Sequence, residues 1–261
     1  MSKRVLLKLS GEQLGGVDGK GLDIATIEWI AREVENLQKN HLQIVIMIGG
    51  GNFVRGAMIE SDNVVDRVTA DTAGMLATLI NATLLGDIFK NLGVNSAVLT
   101  NIRCDQAADD FTKRRALHHL SKERVLILGG GTGRPYVTTD TASVLLALEL
   151  GCDLVVKATK VDGVYDKDPA KFDDAKRLPS LSYAKAVEDP NIRVMDKTAL
   201  ATAEDYGIPV VVCELSKGKP GNVLSAINGE TGTRIGYICN PQKSMLRYAY
   251  DNCRQTDNFH K

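Results

Sequence analysis

The chain has 261 residues, of which 44% are hydrophobic and 25% are charged, the profile of an ordinary globular protein. Its 32 basic and 32 acidic residues give a formal net charge of zero, which argues against a nucleic acid or an anionic membrane as the main partner. The five cysteines are scattered without a CxxC pair, so we expect a reducing compartment, no disulfides and no structural zinc site.

Short apolar runs alternate with helical patterns along the chain. The runs are continuous, as in strands of a parallel sheet that are buried on both faces. In chain order the predicted strands are Val5–Leu9, Ile44–Ile48, Ser96–Leu99, Val125–Leu128, Leu154–Ala158, Val210–Cys213 and Thr233–Ile238. The predicted helices are Ile24–Leu37, Thr69–Phe89, Thr138–Leu150, Asp196–Tyr206 and Asn222–Ile227. This alternation predicts an α/β fold, a three-layer α/β/α sandwich with a mostly parallel central sheet.

Two stretches lack these patterns. Tyr165–Leu181 is polar and contains two prolines, which predicts an exposed loop. Residues 240–261 are polar and charged, so we expect a tail with one short helix around Met245–Tyr250 and a single domain over residues 1–239. No signal-peptide pattern precedes the first strand and no apolar run approaches the roughly 20 residues of a membrane span, so we expect a cytoplasmic protein.

Three predicted strands run into glycine: Lys8–Gly11, Gly49–Gly51 and Gly129–Gly133. The carboxyl ends of parallel strands share one edge of a sheet, where glycine lets backbone N–H groups approach an anion closely. The glycines could instead only form tight turns between strands and helices. Three such ends together favour a phosphate cradle, and the absence of GxxxxGK[ST] and GxGxxG motifs excludes the ordinary P-loop and Rossmann interpretations.

Charged residues accompany these glycines, and each has two interpretations. Lys8 lies within a predicted buried strand, where it needs an anionic partner unless its ammonium reaches solvent at the strand end. Arg55 follows the triple glycine and could bind phosphate or lie on the surface. Asp140 begins a predicted helix, either as its N-cap or as a carboxylate that orients Lys8 or a metal-bound phosphate. The segment 157–169, KATKVDGVYDKDP, could hold a base and ribose through its aromatic and acidic residues.

Six segments resemble the amino acid kinase family, and within it most closely the UMP kinases of bacteria. In chain order they are VLLKLSGE (5–12), IGGGNFVRG (48–56), ADTAGMLATLIN (70–81), GGTGRPYVTTD (130–140), KATKVDGVYDKDP (157–169) and VMD (194–196). The resemblance implies transfer of the ATP γ-phosphoryl group to UMP, giving UDP and ADP with Mg²⁺, in pyrimidine nucleotide biosynthesis. It also implies a homohexamer that GTP activates and UTP inhibits, with Gln13–Gly21 related to the control by GTP.

The same resemblance implies a role for each matching residue. The catalytic residues would be Lys8, Arg55 and Asp140. The residues that bind ATP would be Lys8, Leu9, Ser10, Gly11, Gly51, Arg55, Thr159, Tyr165 and Asp168. The residues that bind UMP would be Gly50, Asp71, Thr132, Gly133, Arg134, Pro135, Tyr136, Val137, Thr138 and Thr139.

The chain departs from the family pattern mainly where UMP would bind. Arg134 replaces the usual Asn, Tyr136 and Val137 replace a Phe pair, and Thr72 replaces a His after Asp71. Two other hypotheses therefore stay open. The chain could be a sister kinase that acts on a carboxylate or carbamate through the same ATP half, or a member of the fold that binds nucleotide or oxyanion without turnover.

Overall fold

The structure is a computed structural model that describes residues 3–54, 65–190, 192 and 194–236. Three predictions lie outside these ranges: the position of Arg55, the domain boundary at residue 239, and the tail with its short helix around Met245–Tyr250.

Within the described ranges the chain alternates strands and helices. The strands are β1 (Arg4–Leu9), β2 (Gln43–Ile48), β3 (Ser96–Thr100), β4 (Asp109–Asp110), β5 (Val125–Gly129), β6 (Leu154–Thr159), β7 (Val164–Tyr165), β8 (Arg177–Leu178), β9 (Ser180–Leu181), β10 (Val210–Glu214) and β11 (Thr233–Ile235). The helices are α1 (Gly11–Leu14), α2 (Ile24–Lys39), α3 (Arg67–Asn91), α4 (Lys113–Ser121), α5 (Thr139–Glu149), α6 (Tyr183–Glu188), α7 (Lys197–Asp205) and α8 (Asn222–Asn228).

Nine of these strands form one sheet in the order β4-β3-β5-β2-β1-β6-β10-β11-β9. Every pair in it is parallel except β10 with β11. The central strand β1 lies between β2 and β6, and its Lys8 is in register with Met47 on one side and Lys157 on the other. The glycine ends of β1, β2 and β5 therefore share one edge of the sheet with the end of β6.

Alternate side chains of the sheet enter two separate hydrophobic cores. Leu6 of β1 packs with Val144 of α5 on one face, while Leu7 packs with residues of α2 and α3 on the other. Burial of both faces explains the continuous apolar runs in the sequence. The predicted α/β fold with a mostly parallel sheet is confirmed.

The prediction of an exposed loop over Tyr165–Leu181 is wrong in part. Val164 and Tyr165 pair with β8, and Leu181 is buried where β9 pairs with β11. Strands β7 and β8 form a hairpin that is stabilised by a residue distant in sequence. The Thr233 hydroxyl of β11 accepts a hydrogen bond from Val164 N at 2.8 Å and donates one to the Leu178 carbonyl. The predicted last strand, Thr233–Ile238, is present as β11 over Thr233–Ile235, and residues 237 and 238 of that prediction lie outside the described ranges.

Helix α3 is, among the described helices, the one long and apolar enough to cross a membrane by length and composition. Its most apolar 18-residue window has a mean hydropathy of 1.4, and 44% of that window is buried. Leu85 and Phe89 of α3 are fully buried in the core against the sheet. A core helix meets the same criteria, and the packing of these residues against the sheet accounts for part of the apolar composition of α3.

Candidate active site

Two lysines on adjacent strands share one carboxylate at the centre of the glycine-rich edge. Lys8 Nζ lies 2.8 Å from Asp140 Oδ1, and Lys157 Nζ lies 2.8 Å from Asp140 Oδ2. The three side chains are only 10%, 14% and 18% exposed for Lys8, Asp140 and Lys157. Lys157 also donates a hydrogen bond to the Val194 carbonyl. The site therefore carries two nearly buried ammonium groups and one carboxylate, an excess of one positive charge.

Burial and the ion pairs act in opposite directions on the pKa values of this cluster. Burial alone would raise the pKa of Asp140, but the positive charges of Lys8 and Lys157 lower it below its ordinary value. Burial lowers the pKa of Lys157, and the nearby charge of Lys8 lowers it further, against the raising effect of Asp140. Asp140 is therefore ionised at neutral pH and acts as a hydrogen-bond acceptor, and the Lys157 ammonium loses its proton more readily than an ordinary lysine does.

Asp140 is not the N-cap of its helix. Thr138 is the N-cap of α5, and its hydroxyl accepts hydrogen bonds from Asp140 N at 3.0 Å and from Thr141 N at 3.4 Å. This leaves the Asp140 side chain in the first helical turn, free to reach across to the sheet. The N-cap interpretation of Asp140 is therefore wrong, and its carboxylate instead forms an ion pair with Lys8.

The glycine ends of β1 and β2 pack directly on each other. A Cβ atom on Gly11 would lie 2.4 Å from Asn52 Oδ1 and 2.8 Å from both Gly49 O and Gly51 N. Gly49 N donates to Leu9 O at 2.8 Å, and the Leu9 side chain is fully buried. The Leu9 side chain therefore does not face the glycine-rich edge. Ser10 N is bound by the Gln13 side chain at 3.0 Å, which closes the turn into α1.

Two of the regions predicted to bind UMP, Asp71 and the segment Thr132–Thr139, meet beyond β5. Asp71 Oδ2 accepts hydrogen bonds from Tyr136 N at 2.7 Å and from Arg67 Nε at 2.9 Å. Tyr136 has a φ of +64°, and the Arg67 guanidinium lies 5.6 Å from the centre of its ring. The structure thus connects Asp71 to the segment Thr132–Thr139 through Tyr136, which is 65 residues further along the chain.

Within that segment the chain turns tightly and then enters α5. Gly133 has a φ of +71°, and Thr132 Oγ1 accepts a hydrogen bond from Arg134 N at 3.3 Å. Arg134 is exposed, and Pro135 and Val137 are partly buried. Thr139 opens α5, so the segment delivers the chain directly to Asp140.

The residues predicted to hold the adenosine part line a cavity of about 1010 Å³ next to the cluster. Its walls include Lys157, Thr159, Tyr165, Asp168, Glu214 and Lys219. Because Lys157 lies in both the cavity wall and the ion-pair cluster, the cavity opens directly beside Asp140.

The polar groups of this wall are engaged with their own loop. Thr159 Oγ1 donates to Val161 O at 2.7 Å and accepts from Val161 N at 3.1 Å. The Tyr165 hydroxyl donates to Asp162 Oδ1 at 2.7 Å, which raises the pKa of Tyr165. Asp168 Oδ1 accepts from Ala170 N at 3.0 Å. These bonds fix the shape of the wall.

Sequence reasoning missed several polar residues of the site. Lys157 carries the same signal as Lys8, a lysine within a continuous apolar strand, and could have been found by it. Asp196 is the N-cap of α7, and it accepts hydrogen bonds from the hydroxyls of Thr138 at 2.5 Å and Thr141 at 2.8 Å. It joins α7 to the start of α5, beside Asp140.

The described donor atoms do not fit a divalent cation held by protein side chains alone. No group of three or more His, Cys, Asp or Glu residues within the described ranges could hold a metal ion. Both oxygens of Asp140 already bind ammonium groups. Mg²⁺ usually binds to one or two carboxylates together with substrate phosphates, so it fits here as the counter-ion of a nucleotide substrate.

The comparisons with known proteins agree with this geometry. The amino acid kinase family pattern matches residues 3–214. The uridylate kinase of Wolinella succinogenes is 48% identical over 229 residues, which cover 88% of this chain and 94% of that protein. The crystal structure of a UMP kinase from Bacillus anthracis superposes with a TM-score of 0.84 at 36% identity, covering 91% of this chain and 97% of that chain. A UMP kinase structure from Ureaplasma parvum gives a TM-score of 0.83 at 31% identity, covering 91% and 100%. The chain therefore belongs to the amino acid kinase family, in which it groups with the bacterial uridylate kinases.

Proposed function

We propose that the chain transfers the γ-phosphoryl group of MgATP to UMP, giving UDP and ADP, as a step of pyrimidine nucleotide biosynthesis. One observation carries the proposal: the Lys8–Asp140–Lys157 cluster lies between a cavity of about 1010 Å³ and the segment 132–139. The names of the relatives, uridylate kinase and UMP kinase, support the choice of acceptor.

The reaction needs positive charge more than proton transfer. A phosphate oxygen of UMP is the nucleophile, and because the second pKa of such a phosphate is about 6, it is already deprotonated at neutral pH. It forms a bond to the γ-phosphorus while the bond from that phosphorus to the β-phosphate oxygen breaks, and ADP leaves with the electron pair. Charge spreads over the oxygens of the transferred group.

Lys8 and Lys157 supply that positive charge from a preorganised position. Both ammonium groups are nearly buried, so their interaction with phosphate oxygens is weakly screened by water. Asp140 holds the two ammonium groups apart and in place, and its lowered pKa suits it to this role rather than to that of a general base. Mg²⁺, bound to the ATP phosphates, adds further positive charge.

The assignment of individual residues follows the family pattern within the single domain 1–239. We assign catalysis to Lys8, Arg55 and Asp140, and we add Lys157. The ATP phosphates would contact the backbone of Lys8–Gly11 and Gly51, and the adenosine part would enter the cavity lined by Thr159, Tyr165 and Asp168. UMP would bind Gly50, Asp71 and Thr132–Thr139.

The oligomer and its control are also proposals. We expect a cytoplasmic homohexamer that GTP activates and UTP inhibits. Self-association is supported by an apolar stripe on α3, where Leu76, Ile80 and Leu84 are 48%, 48% and 38% exposed at successive turns. Multi-angle light scattering should give a mass of six chains for the wild type and a smaller mass for Ile80→Glu. A monomeric wild type, or a rate that neither GTP nor UTP changes, would contradict this part alone.

A coupled ADP-release assay with alternative acceptors tests the activity. We expect a rate with UMP and MgATP that exceeds the rates with CMP, acetylglutamate and aspartate. A rate with acetylglutamate or aspartate and none with UMP would favour the sister kinase. Nucleotide binding without turnover of any acceptor, in a folded sample with Mg²⁺, would favour the non-catalytic alternative.

A further inference from the structure

Two buried polar residues on one face of α3 contact two different glycine turns. Thr78 and Asn81 are 3% and 0% exposed and lie one helical turn apart. Thr78 Oγ1 accepts a hydrogen bond from Gly130 N at 2.7 Å, at the end of β5. Asn81 Nδ2 donates to Gly49 O at 2.7 Å, at the end of β2. A single helix therefore holds the backbone of both turns.

The contact of Asn81 is extended by a reciprocal amide pair. Asn81 Nδ2 donates to Asn52 Oδ1 at 2.7 Å, and Asn52 Nδ2 donates to Asn81 Oδ1 at 2.9 Å. Asn52 Nδ2 also donates to Gly21 O at 2.7 Å, and Gly21 N donates to Asn52 O at 3.0 Å. Both hydrogens of each side-chain amide are thus engaged, which fixes the orientation of each group.

Steric contact with α3 adds to these hydrogen bonds. A Cβ atom on Gly50 would lie 2.8 Å from Ala77 Cβ and 2.8 Å from Gly74 O. A Cβ atom on Gly129 would lie 3.0 Å from Leu79 Cα. The two turns therefore rest on the surface of α3 itself, and its rigidity sets the distance between them.

We propose that Thr78 and Asn81 are positioning residues that hold the two glycine turns in register for phosphoryl transfer. The inference rests on the proposed function, in which the turn at Gly49–Asn52 serves both nucleotides and the turn at Gly130 begins the acceptor segment. Each turn still binds its phosphate when one anchor is lost, but the two phosphates no longer meet in line. Misplacement of reacting groups by about 1 Å can lower a rate by about 100-fold.

Isosteric substitutions separate this role from a role in stability. Thr78→Val removes the hydroxyl with little change in volume, whereas Thr78→Ser keeps it. Thr83→Val is the matched control, because Thr83 is on the same helix and its hydroxyl donates only to Leu79 O within that helix, at 2.9 Å. Steady-state rates are measured below the melting temperature of every variant, with melting followed by circular dichroism.

We expect Thr78→Val to lower kcat about 10- to 100-fold with less than a threefold change in either KM. Thr78→Ser and Thr83→Val should keep kcat within about twofold of the wild type. Thr78→Val should also weaken binding of an adenosine–uridine pentaphosphate, which spans both halves, more than it weakens binding of ATP or UMP alone. Asn81→Leu should lower kcat in the same way if this variant folds. If it does not fold, the test depends on Thr78→Val.

The outcomes distinguish this inference from the function on which it rests. A wild type that forms no UDP overturns the proposed function. A wild type that forms UDP at a rate unchanged in Thr78→Val overturns only the inference, as does an equal loss of kcat in Thr83→Val. A lower melting temperature with unchanged kcat assigns Thr78 a purely structural role.

Discussion

Replacing Asp140 by Asn tests the ion-pair cluster most sharply. The substitution keeps the size of the side chain but removes the charge that Lys8 and Lys157 share at 2.8 Å each. The two lysines lie on different oxygens of Asp140, so in Asn one of them would face the side-chain NH₂ group, which cannot accept a hydrogen bond. Removing one partner of a buried ion pair costs about 3–5 kcal/mol. Because the lysines retain slight exposure, we expect the lower end, about 3 kcal/mol, which corresponds to a melting temperature lower by about 6–12 °C.

Bound nucleotide should reverse part of this loss. The phosphates of a non-hydrolysable ATP analogue with Mg²⁺ would give both lysines an anionic partner again. We therefore expect saturating analogue to raise the melting temperature of Asp140→Asn by more than it raises that of the wild type. The rate of UDP formation should nevertheless fall by about 100-fold or more, because the ammonium groups are no longer held in place.

The assay is thermal melting by circular dichroism, with and without the analogue, beside the steady-state rate. Asp87→Asn is the control, since Asp87 is an exposed carboxylate on α3 and its substitution should change stability by no more than about 0.5 kcal/mol. If Asp140→Asn melts like Asp87→Asn and gains no more from the analogue than the wild type does, the lysines do not depend on the carboxylate and our reasoning is refuted.

Further substitutions test the two lysines and the packing of Gly50 on α3. Lys8→Ala should lower kcat far more than it weakens UMP binding, because Lys8 acts on the transferred group; an unchanged kcat would refute that role. The pKa of Lys157 is lowered by burial, so kcat should fall with rising pH before an ordinary lysine titrates near pH 10.4. Lys157 has a higher pKa in the unfolded chain, so its contribution to the free energy of unfolding rises with pH over the same range and unfolding does not explain the fall in kcat. Lys157→Arg should shift this fall in kcat to higher pH, and a fall that stays at the same pH would belong to another titrating group. Gly50→Ala should weaken UMP binding and stability by about 1–3 kcal/mol, because its Cβ would clash with α3. Gly74→Ala, whose Cβ meets nothing within 4 Å, should instead raise stability by up to about 1 kcal/mol. Equal effects of the two substitutions on the melting temperature and on UMP affinity would contradict the packing argument.

Much of the sheet could be predicted from the sequence, because each central strand is buried on both faces and reads as a continuous apolar run. The glycine ends were also predictable, since they follow those runs directly. The pairing of β7 with β8 was not, because the hairpin is polar and depends on Thr233, whose hydroxyl binds two of its backbone groups from 55 or more residues away. Secondary structure that is fixed by such a distant contact has no local signal.

Several residues of the candidate site could be predicted from the sequence, but most of the contacts between them could not. Lys8 and Asp140 were both identified, and their pairing was one of the interpretations that the sequence offered for Asp140, but the sequence could not choose it over an N-cap. Lys157 was missed although, like Lys8, it is flanked by apolar residues within its strand. Asn81 gave no clear signal, because α3 buries residues on several sides and a polar residue within it does not break a simple amphipathic pattern.

Phosphorus NMR of a single reaction mixture tests the central claim most directly. With MgATP and UMP, the wild type should produce UDP and ADP in equal amounts while the γ-phosphate signal of ATP disappears and no inorganic phosphate accumulates. The same mixture with Lys8→Ala should stay close to its starting composition. Formation of ADP and inorganic phosphate without UDP, or a wild type that leaves both nucleotides unchanged, would contradict the account.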